Sequence, residues 1–459
     1  MWRYSLSCLL GMIFLAFVPA GCAKDESTLS ARYKDYNIVL VSIDTLRADH
    51  LGCYGYLKPT PTIDALANTS FLFESMFTTS STTLPAHASL MTSLYPKDLR
   101  NGYAVRDSVT TVAEVLGKNG YLCLGFVSAL PLDERFNLDQ GFDYYDADFS
   151  GSRGSIHLKD NKWFAHKFQV FDRNAEETTN KVLATLKKRT ISKPCFLWVH
   201  YYDPHLPYLP PSTFYDPTKV TRNSFPYYFN PTPSDLQSLH ELYDGEIQFV
   251  DQQLKKLIDG LKELDAFTNT IVVIVADHGE NLYEHDGYLD HSQVVYDTVM
   301  WIPCLLHLPG LRAKRIGELV SIIDIMPTVL DLVGITTNGV EGRSLITLLE
   351  KEKPDPVRTY VTCETNDFGV KEEEQAVAVR TKLMKYIYNN WNVGKNLFYA
   401  LGEDPHEKNP RSALPGSRAQ ELTSLFDTWR KRYKTGNIAT PLALDRETQE
   451  ALKSLGYLQ

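Results

Sequence analysis

The sequence predicts an α/β protein: a mainly parallel central sheet sandwiched by helices, followed by a smaller C-terminal α+β subdomain on an antiparallel sheet. Three observations carry that expectation. Continuous apolar runs such as NIVLVSID and IVVIVAD lack the alternation of a half-solvated strand and suit a sheet covered on both faces. Helical patterns separate these runs, the rhythm that parallel pairing requires. Beyond about Gly342 the texture changes to short pieces, RTYVTCE, QAVAVRT, MKYIYNN and KNLFYAL, which read as a small antiparallel sheet.

Taken in order, residues 1–22 read as an export signal, with Arg3, an apolar run over 8–18 and small residues before Cys22. The run is too short for a membrane span. PAGC resembles a bacterial lipoprotein box with Cys22 acylated, although Pro19 stands where an aliphatic residue is usual and simple secretion is the alternative. Residues 23–36 would then be a tether, 37–341 the main domain and 342–459 the C-terminal subdomain. NIVLVSID is a buried strand ending in Asp44, and 62–68 a short helix. A helix begins near Thr83, with Pro85 supplying the φ suited to its first turn. The next helix, 108–119, stops at Gly120, and YLCLGFVS is a strand. Residues 143–169 read as a solvated loop; with Arg153, His157, Lys159, Lys162, His166 and Lys167 it would also suit recognition of an anionic substrate. A helix over 172–189 leads to the strand CFLWVHYYD, and the proline- and aromatic-rich stretch 206–233 is expected to be a lid or rim. Ser234 is expected to cap a long helix through 264. IVVIVA, PCLLHL and LVSIID are expected as strands, DIMPTVLDLVG as a helix closed by Gly334, and 417–433 and 446–455 as final helices.

A net charge of −9 provides no basic surface suited to nucleic acid, which is excluded as a partner. Past residue 22 the cysteines are Cys53, Cys123, Cys195, Cys304 and Cys363, an odd set without metal-ligand spacing and with several members between apolar neighbours. They read as free buried thiols. The chemistry gathers elsewhere. Asp44, Asp277 and His278 stand at carboxyl ends of predicted strands, where open α/β sheets collect functional groups. Thr83 opens a helix, where unpaired amides and the dipole favour an anion. Alone, Thr83 reads as a helix cap and each acid as a strand-end carboxylate. Together they suit a divalent metal that also holds a nucleophilic oxygen.

Five ordered segments, VSIDTLRADHLGCYG (41–55), TTLPAHASLMTSLYP (82–96), HYYDPHLPYLPP (200–211), YDGEIQFVDQQL (243–254) and ADHGENLYEHDGYLDHS (276–292), resemble the sulfatase family of the alkaline phosphatase superfamily. The resemblance implies a metal held by Asp44, Thr83, Asp277 and His278, with Thr45 where relatives often carry a second acid or amide. Family sulfatases start Cys-x-Pro-x-Arg with a Cys or Ser that is oxidised to formylglycine; here the five residues are Thr83, Leu84, Pro85, Ala86 and His87. A threonine would oxidise to a ketone, so Thr83 is expected to act as an alkoxide. The resemblance further implies that His205 assists the leaving group, that His291 lies near the transferred group, and that His87, in place of arginine, contacts Thr83 or the anion. Asp203 with His205 or His291 would form a second metal site, one metal being ranked above two. The donors suit zinc or manganese ahead of calcium or magnesium. His285 and Asp286 are read as entrance or loop, His200, His240 and His307 as structural, Arg47 as orienting the Asp44 loop, and Asp244, Glu246 and Asp251 as helix polar positions.

The expected activity is metal-dependent cleavage of phosphate, phosphonate or sulfate esters, phosphoesters favoured. The substrate would be an anionic small molecule, lipid headgroup or glycan, with membrane contact through a lipid anchor if Cys22 is acylated. Alternatives are a sulfuric ester hydrolase, an envelope phospho-substituent transferase and a catalytically lapsed binding protein.

Overall fold

Strand β1, Asn37–Ile43, has all seven residues buried and is paired on both sides. Each Val, Leu or Ile so buried contributes about 1.5–3 kcal/mol, which fixes its register firmly. The computed structural model to which it belongs describes residues 28–101, 104–149, 172–189, 191–220, 231–264, 269–285, 287–365, 375–390, 395–413 and 417–433, with 446 and 448–449. The expected export signal with Cys22, most of the tether, the basic residues 153–167, Asp286 and most of the 446–455 helix lie outside them.

Around β1 stand β2 (Phe71–Phe73), β3 (Leu122–Phe126), β4 (Tyr144–Asp146), β5 (Cys195–Tyr201), β6 (Thr270–Ala276), β7 (Cys304–His307) and β8 (Lys314–Ile316), in the spatial order β8-β2-β7-β6-β1-β5-β3-β4. All neighbours are parallel except β7, which runs against both β2 and β6. Among the helices are α1 (Thr83–Thr92), α2 (Val112–Lys118), α3 (Ala175–Lys187), α4 (Pro233–Lys262) and α5 (Ile325–Leu332), and one hydrophobic core joins them to the sheet. Register is what builds the site: Ile43 pairs with both Tyr201 and Ala276, so Asp44 and Asp277 leave neighbouring strands at the same level.

Two local expectations are corrected. Helix α4 is capped by Thr232, not Ser234: Thr232 and Asp235 form a reciprocal capping box, and Pro233 occupies the first turn, leaving Ser234 inside the helix. Of LVSIID only Val320–Ser321 is strand; Ile322–Asp324 turns as a 3₁₀ helix, because the Asp324 carboxylate accepts from the Ser321 and Arg343 amides.

The C-terminal sheet comprises β9 (Val361–Glu364), β10 (Val377–Arg380), β11 (Met384–Asn390) and β12 (Lys395–Ala400), antiparallel in that order. Helix α6, Arg418–Tyr433, packs Leu422, Phe426 and Trp429 against it. Its first strand reaches the main domain just before α1: Glu364 N–H donates to Thr79 O at 3.1 Å and Glu364 O accepts from Ser81 N–H at 3.2 Å. The five cysteines among the described residues are free thiols. Among the described residues, no helix is long and apolar enough to cross a membrane.

Candidate active site

Thr83 is the first residue of α1, a helix buried along its whole length. Its Oγ1 lies 3.5 Å from Asp44 Oδ2 and 3.4 Å from His278 Nε2. His278 Nε2 is 3.7 Å from Asp44 Oδ1 and 3.3 Å from Asp277 Oδ2. The four expected metal-binding groups thus meet, drawn from two strand ends and one helix start.

Each member is held from behind. Asp277 Oδ1 accepts from the Thr45 amide at 3.2 Å and the His278 amide at 2.7 Å. Thr45, a β-branched residue at φ +52°, sits in a conformation such residues rarely adopt, and its carbonyl accepts from Tyr243 O–H at 2.6 Å. His278 Nδ1 faces Gly279 O at 3.0 Å, which assigns the proton to Nδ1 and leaves a lone pair on Nε2. Gly279 is needed beside it, since a Cβ there would come within 2.1 Å of Thr298 O. Arg47 pairs with Asp49 and Glu284 and donates to Glu280 O, bracing the Asp44 loop against the Asp277 loop.

Burial pushes Asp44 well above the ordinary carboxylate range, and burial followed by the Asp44 charge does the same to Asp277. Burial, then His291, pushes His278 well below the ordinary imidazole value. Asp44 Oδ1, Asp277 Oδ2 and Thr45 Oγ1 are buried with no hydrogen-bond partner. Orphaned acceptors of this kind are costly unless a cation meets them. Asp44, Asp277 and His278 have donor atoms within 4.8 Å of one another, and the set fits a divalent metal, with Thr83 Oγ1 adjoining.

A family model described as Sulfatase matches residues 36–335, and a second, N-sulphoglucosamine sulphohydrolase, C-terminal, matches 284–424. The chain belongs to the sulfatase family. It is an ester-bond hydrolase of the alkaline phosphatase superfamily, 27% identical over 439 residues to an arylsulfatase of Clostridium perfringens (strain 13 / Type A), covering 81% of this chain and 89% of that one. Among solved structures, the phosphonate monoester hydrolase of Agrobacterium radiobacter matches with TM-score 0.70 at 22% identity, covering 87% of this chain and 96% of that one. A protein solved with its substrate D-glucosamine-2-N,6-O-disulfate matches with TM-score 0.69 at 18% identity, covering 88% and 99%. These two likenesses bear out the fold.

The remaining expected members of this sulfatase-family site take varied places. His87 makes the Thr83 contact expected of it, through the Thr83 backbone carbonyl. Its Nδ1 donates to Thr83 O at 2.8 Å, and its Nε2 lies 2.9 Å from the Ser42 hydroxyl, which also accepts from Trp198 Nε1. Fully buried and held neutral by burial and then by His200, it steadies α1 and is a positioning residue. Asp203 does not join a metal cluster in the expected way: its Oδ2 accepts from the Ala175 amide at 2.7 Å, capping α3. His205 and His291 do meet, Nε2 to Nε2 at 3.2 Å, with their Nδ1 atoms on Leu206 O and Ser81 O. Burial, then His291, pushes His205 down to about 3. The carboxylates grouped with His291 are Glu280 and Asp290. His285 stacks on Tyr296 at 3.9 Å, a packing role, and His240 stacks on His50. Asp244, Glu246 and Asp251 are buried joints: Asp244 holds His50, Glu246 accepts from Leu209 N, and Asp251 takes the Thr62 and Ile63 amides.

Two residues escape sequence reasoning. His200, read as structural, stands 3.6 Å from Asp44 Oδ2; its Nδ1 accepts from the Ser128 amide, so its proton lies on Nε2, facing that carboxylate. The available signal was its place one residue before the end of strand β5. Glu280, three residues past Asp277, is fully buried, with Oε2 accepting from Tyr208 O–H at 3.0 Å. That contact comes from the proline-rich stretch, and local sequence carries no sign of it.

Proposed function

We propose that this chain hydrolyses anionic esters, phosphate or phosphonate esters ahead of sulfate esters, with the Thr83 hydroxyl as nucleophile beside a divalent cation held by Asp44, Asp277, His278 and Thr83 Oγ1. The observation that carries this reading is the Thr83 hydroxyl within 3.5 Å of both Asp44 and His278, next to buried carboxylate oxygens that lack partners. When bound, the cation supplies Lewis-acid charge that favours the ionised oxygen and offsets charge on the ester. The donor set favours zinc or manganese over calcium or magnesium.

The chain's own residues set the rest. Helix α1 holds Thr83 at its N-terminus, where unpaired amides favour an incoming anion. Attack by Oγ1 forms the oxygen–phosphorus bond as the bond to the leaving alcohol breaks. The Thr83 proton passes to the departing oxygen by way of His205, whose ring, held neutral by burial, takes it up and gives it on. Water then attacks phosphorus as the bond to Thr83 Oγ1 breaks, and its proton returns to Thr83 by way of His205 Nε2, whose lone pair is left available by the Nδ1 bond to Leu206 O. Attack on sulfur would leave a sulfate ester on Thr83 with no second hydroxyl to expel it. The names of relatives favour sulfate esters as a second reading, since one is an arylsulfatase. The pattern of residues 1–22 supports an exported, lipid-anchored location as part of the proposal.

The test compares turnover of matched aryl phosphate, aryl phosphonate and aryl sulfate esters by zinc- or manganese-loaded wild type and Thr83→Ala. Phosphorus ester turnover ahead of sulfate, lost by on the order of 10³-fold or more in the variant, is expected. Sulfate turnover ahead of both would overturn the preference. Product formed only with an added acceptor would make the chain a transferase, and binding without turnover would make it a lapsed enzyme.

A further inference from the structure

Tyr243, on α4, meets the loop after Asp44 from behind, across 198 residues of chain. It is fully buried, and its ring is wedged edge-on against Tyr208 and His50, with centroids 5.3 Å and 5.0 Å away. The hydroxyl grips the loop twice: it donates to Thr45 O at 2.6 Å and accepts from the Arg47 amide at 3.1 Å. The residue so gripped is under backbone strain. Thr45 lies at φ +52°, and a β-branched residue stays there only where its surroundings impose it. That strained turn serves the site. The Asp44 amide is still on Tyr201 O at 2.9 Å, whereas the Thr45 amide leaves the sheet and donates to Asp277 Oδ1 at 3.2 Å. Asp277 Oδ1 also takes the His278 amide, from its own loop; the Thr45 amide is the contact that crosses from the Asp44 strand. With Oδ1 so occupied, Asp277 Oδ2 is the oxygen left without a hydrogen bond, 3.3 Å from His278 Nε2.

We propose that Tyr243 is a positioning residue: its hydroxyl clamps Thr45 in the left-handed conformation and so keeps Asp44 and Asp277 aimed at one divalent cation. The hydroxyl acts through backbone alone, on the Thr45 carbonyl and the Arg47 amide. Without it, Thr45 relaxes toward negative φ, its amide leaves Asp277 Oδ1, and the two carboxylates lose their common orientation. Groups that orient metal ligands from behind typically hold about 10–100-fold of metal affinity. The proposal rests on the reading of Asp44 and Asp277 as holders of a cation, and not on Thr83 as the nucleophile.

The test is the Zn²⁺ dissociation constant, by calorimetric titration of the metal-free full chain at one pH, for wild type, Tyr243→Phe, Thr45→Gly, the two together, and Asp277→Asn. Tyr243→Phe keeps the ring and removes the clamp, and should bind zinc at least about tenfold more weakly. Glycine takes positive φ without strain, so in the Thr45→Gly background the same change should cost less than about threefold. A tyrosine that only supports the fold would lower the denaturation midpoint of the metal-free chain and leave the zinc constant unmoved. Should Tyr243→Phe not fold, folding restored by added Thr45→Gly supports the clamp, and a double variant that also fails to fold overturns it. With zinc lost in Asp277→Asn, an unchanged zinc constant in folded Tyr243→Phe, or an equal loss in both backgrounds, overturns the proposal. Zinc binding in Asp277→Asn at wild-type strength would instead overturn the cation reading, and the clamp with it, so the two failures are distinguishable.

Discussion

Thr83, Asp44, Asp277 and His278 are each ordinary; their effect comes from being buried together. With both carboxyls pushed upward by burial, and Asp277 also by Asp44, the metal-free pair retains protons above the usual carboxylate range, whereas His278 is already unprotonated at neutral pH. A cation entering the site therefore displaces protons from the acids, not from the imidazole. Zinc affinity should fall as pH falls through the range in which the raised carboxyls hold their protons, by roughly tenfold per pH unit for each proton released. Calorimetry in buffers of different ionisation enthalpy would register that release, and pH-independent binding would contradict it. At this scale much was legible, because Asp44, Asp277 and His278 follow apolar strands and Thr83 precedes a proline-marked helix. For His87 the Thr83 contact was legible, but the Ser42 hydroxyl that holds its far nitrogen was not, because Ser42 comes from a distant strand.

At the scale of elements, the long helix α4 shows where local patterns mislead by two residues. Thr232 and Asp235 satisfy the first amides, and Ser234 lies exposed within the first turn. Thr232→Ala should cost about 1 kcal/mol in chemical denaturation, and Ser234→Ala less than about 0.5 kcal/mol. Equal losses would move the cap back to Ser234. Strands β1, β5 and β6 were readable because burial on both faces demands unbroken apolar runs. LVSIID resembled them, but its final aspartate turns back onto the Ser321 amide, a contact with no periodic signature. The loop 206–233 was expected as a rim; its residues 221–230 lie outside the described residues, and its Tyr208 reaches a fully buried glutamate.

For the whole molecule, the join between main domain and C-terminal sheet bears on the site, since Glu364 is hydrogen-bonded to the segment that leads into Thr83. A second joint is ionic. Lys385 of β11, fully buried, meets Asp297 at 3.0 Å and Glu407 at 2.7 Å, while Arg380 also pairs with Asp297. Removing one partner of such a buried set typically costs about 3–5 kcal/mol, so Lys385→Ala should lower the unfolding free energy measured by chemical denaturation by that much. A loss under about 1 kcal/mol would show the joint to be unimportant. The chain order of strands predicted two sheets, but neither this buried lysine nor the Glu364 contact was visible, because both arise only when distant segments pack. The account rests most heavily on a covalent bond to one oxygen, and acid quenching during steady turnover of an aryl phosphate, followed by peptide mass spectrometry, tests it most directly. A phosphoryl group on Thr83, absent in Thr83→Ala, is the predicted result; rapid turnover with that peptide unmodified and the phosphoryl group on another side chain would contradict it.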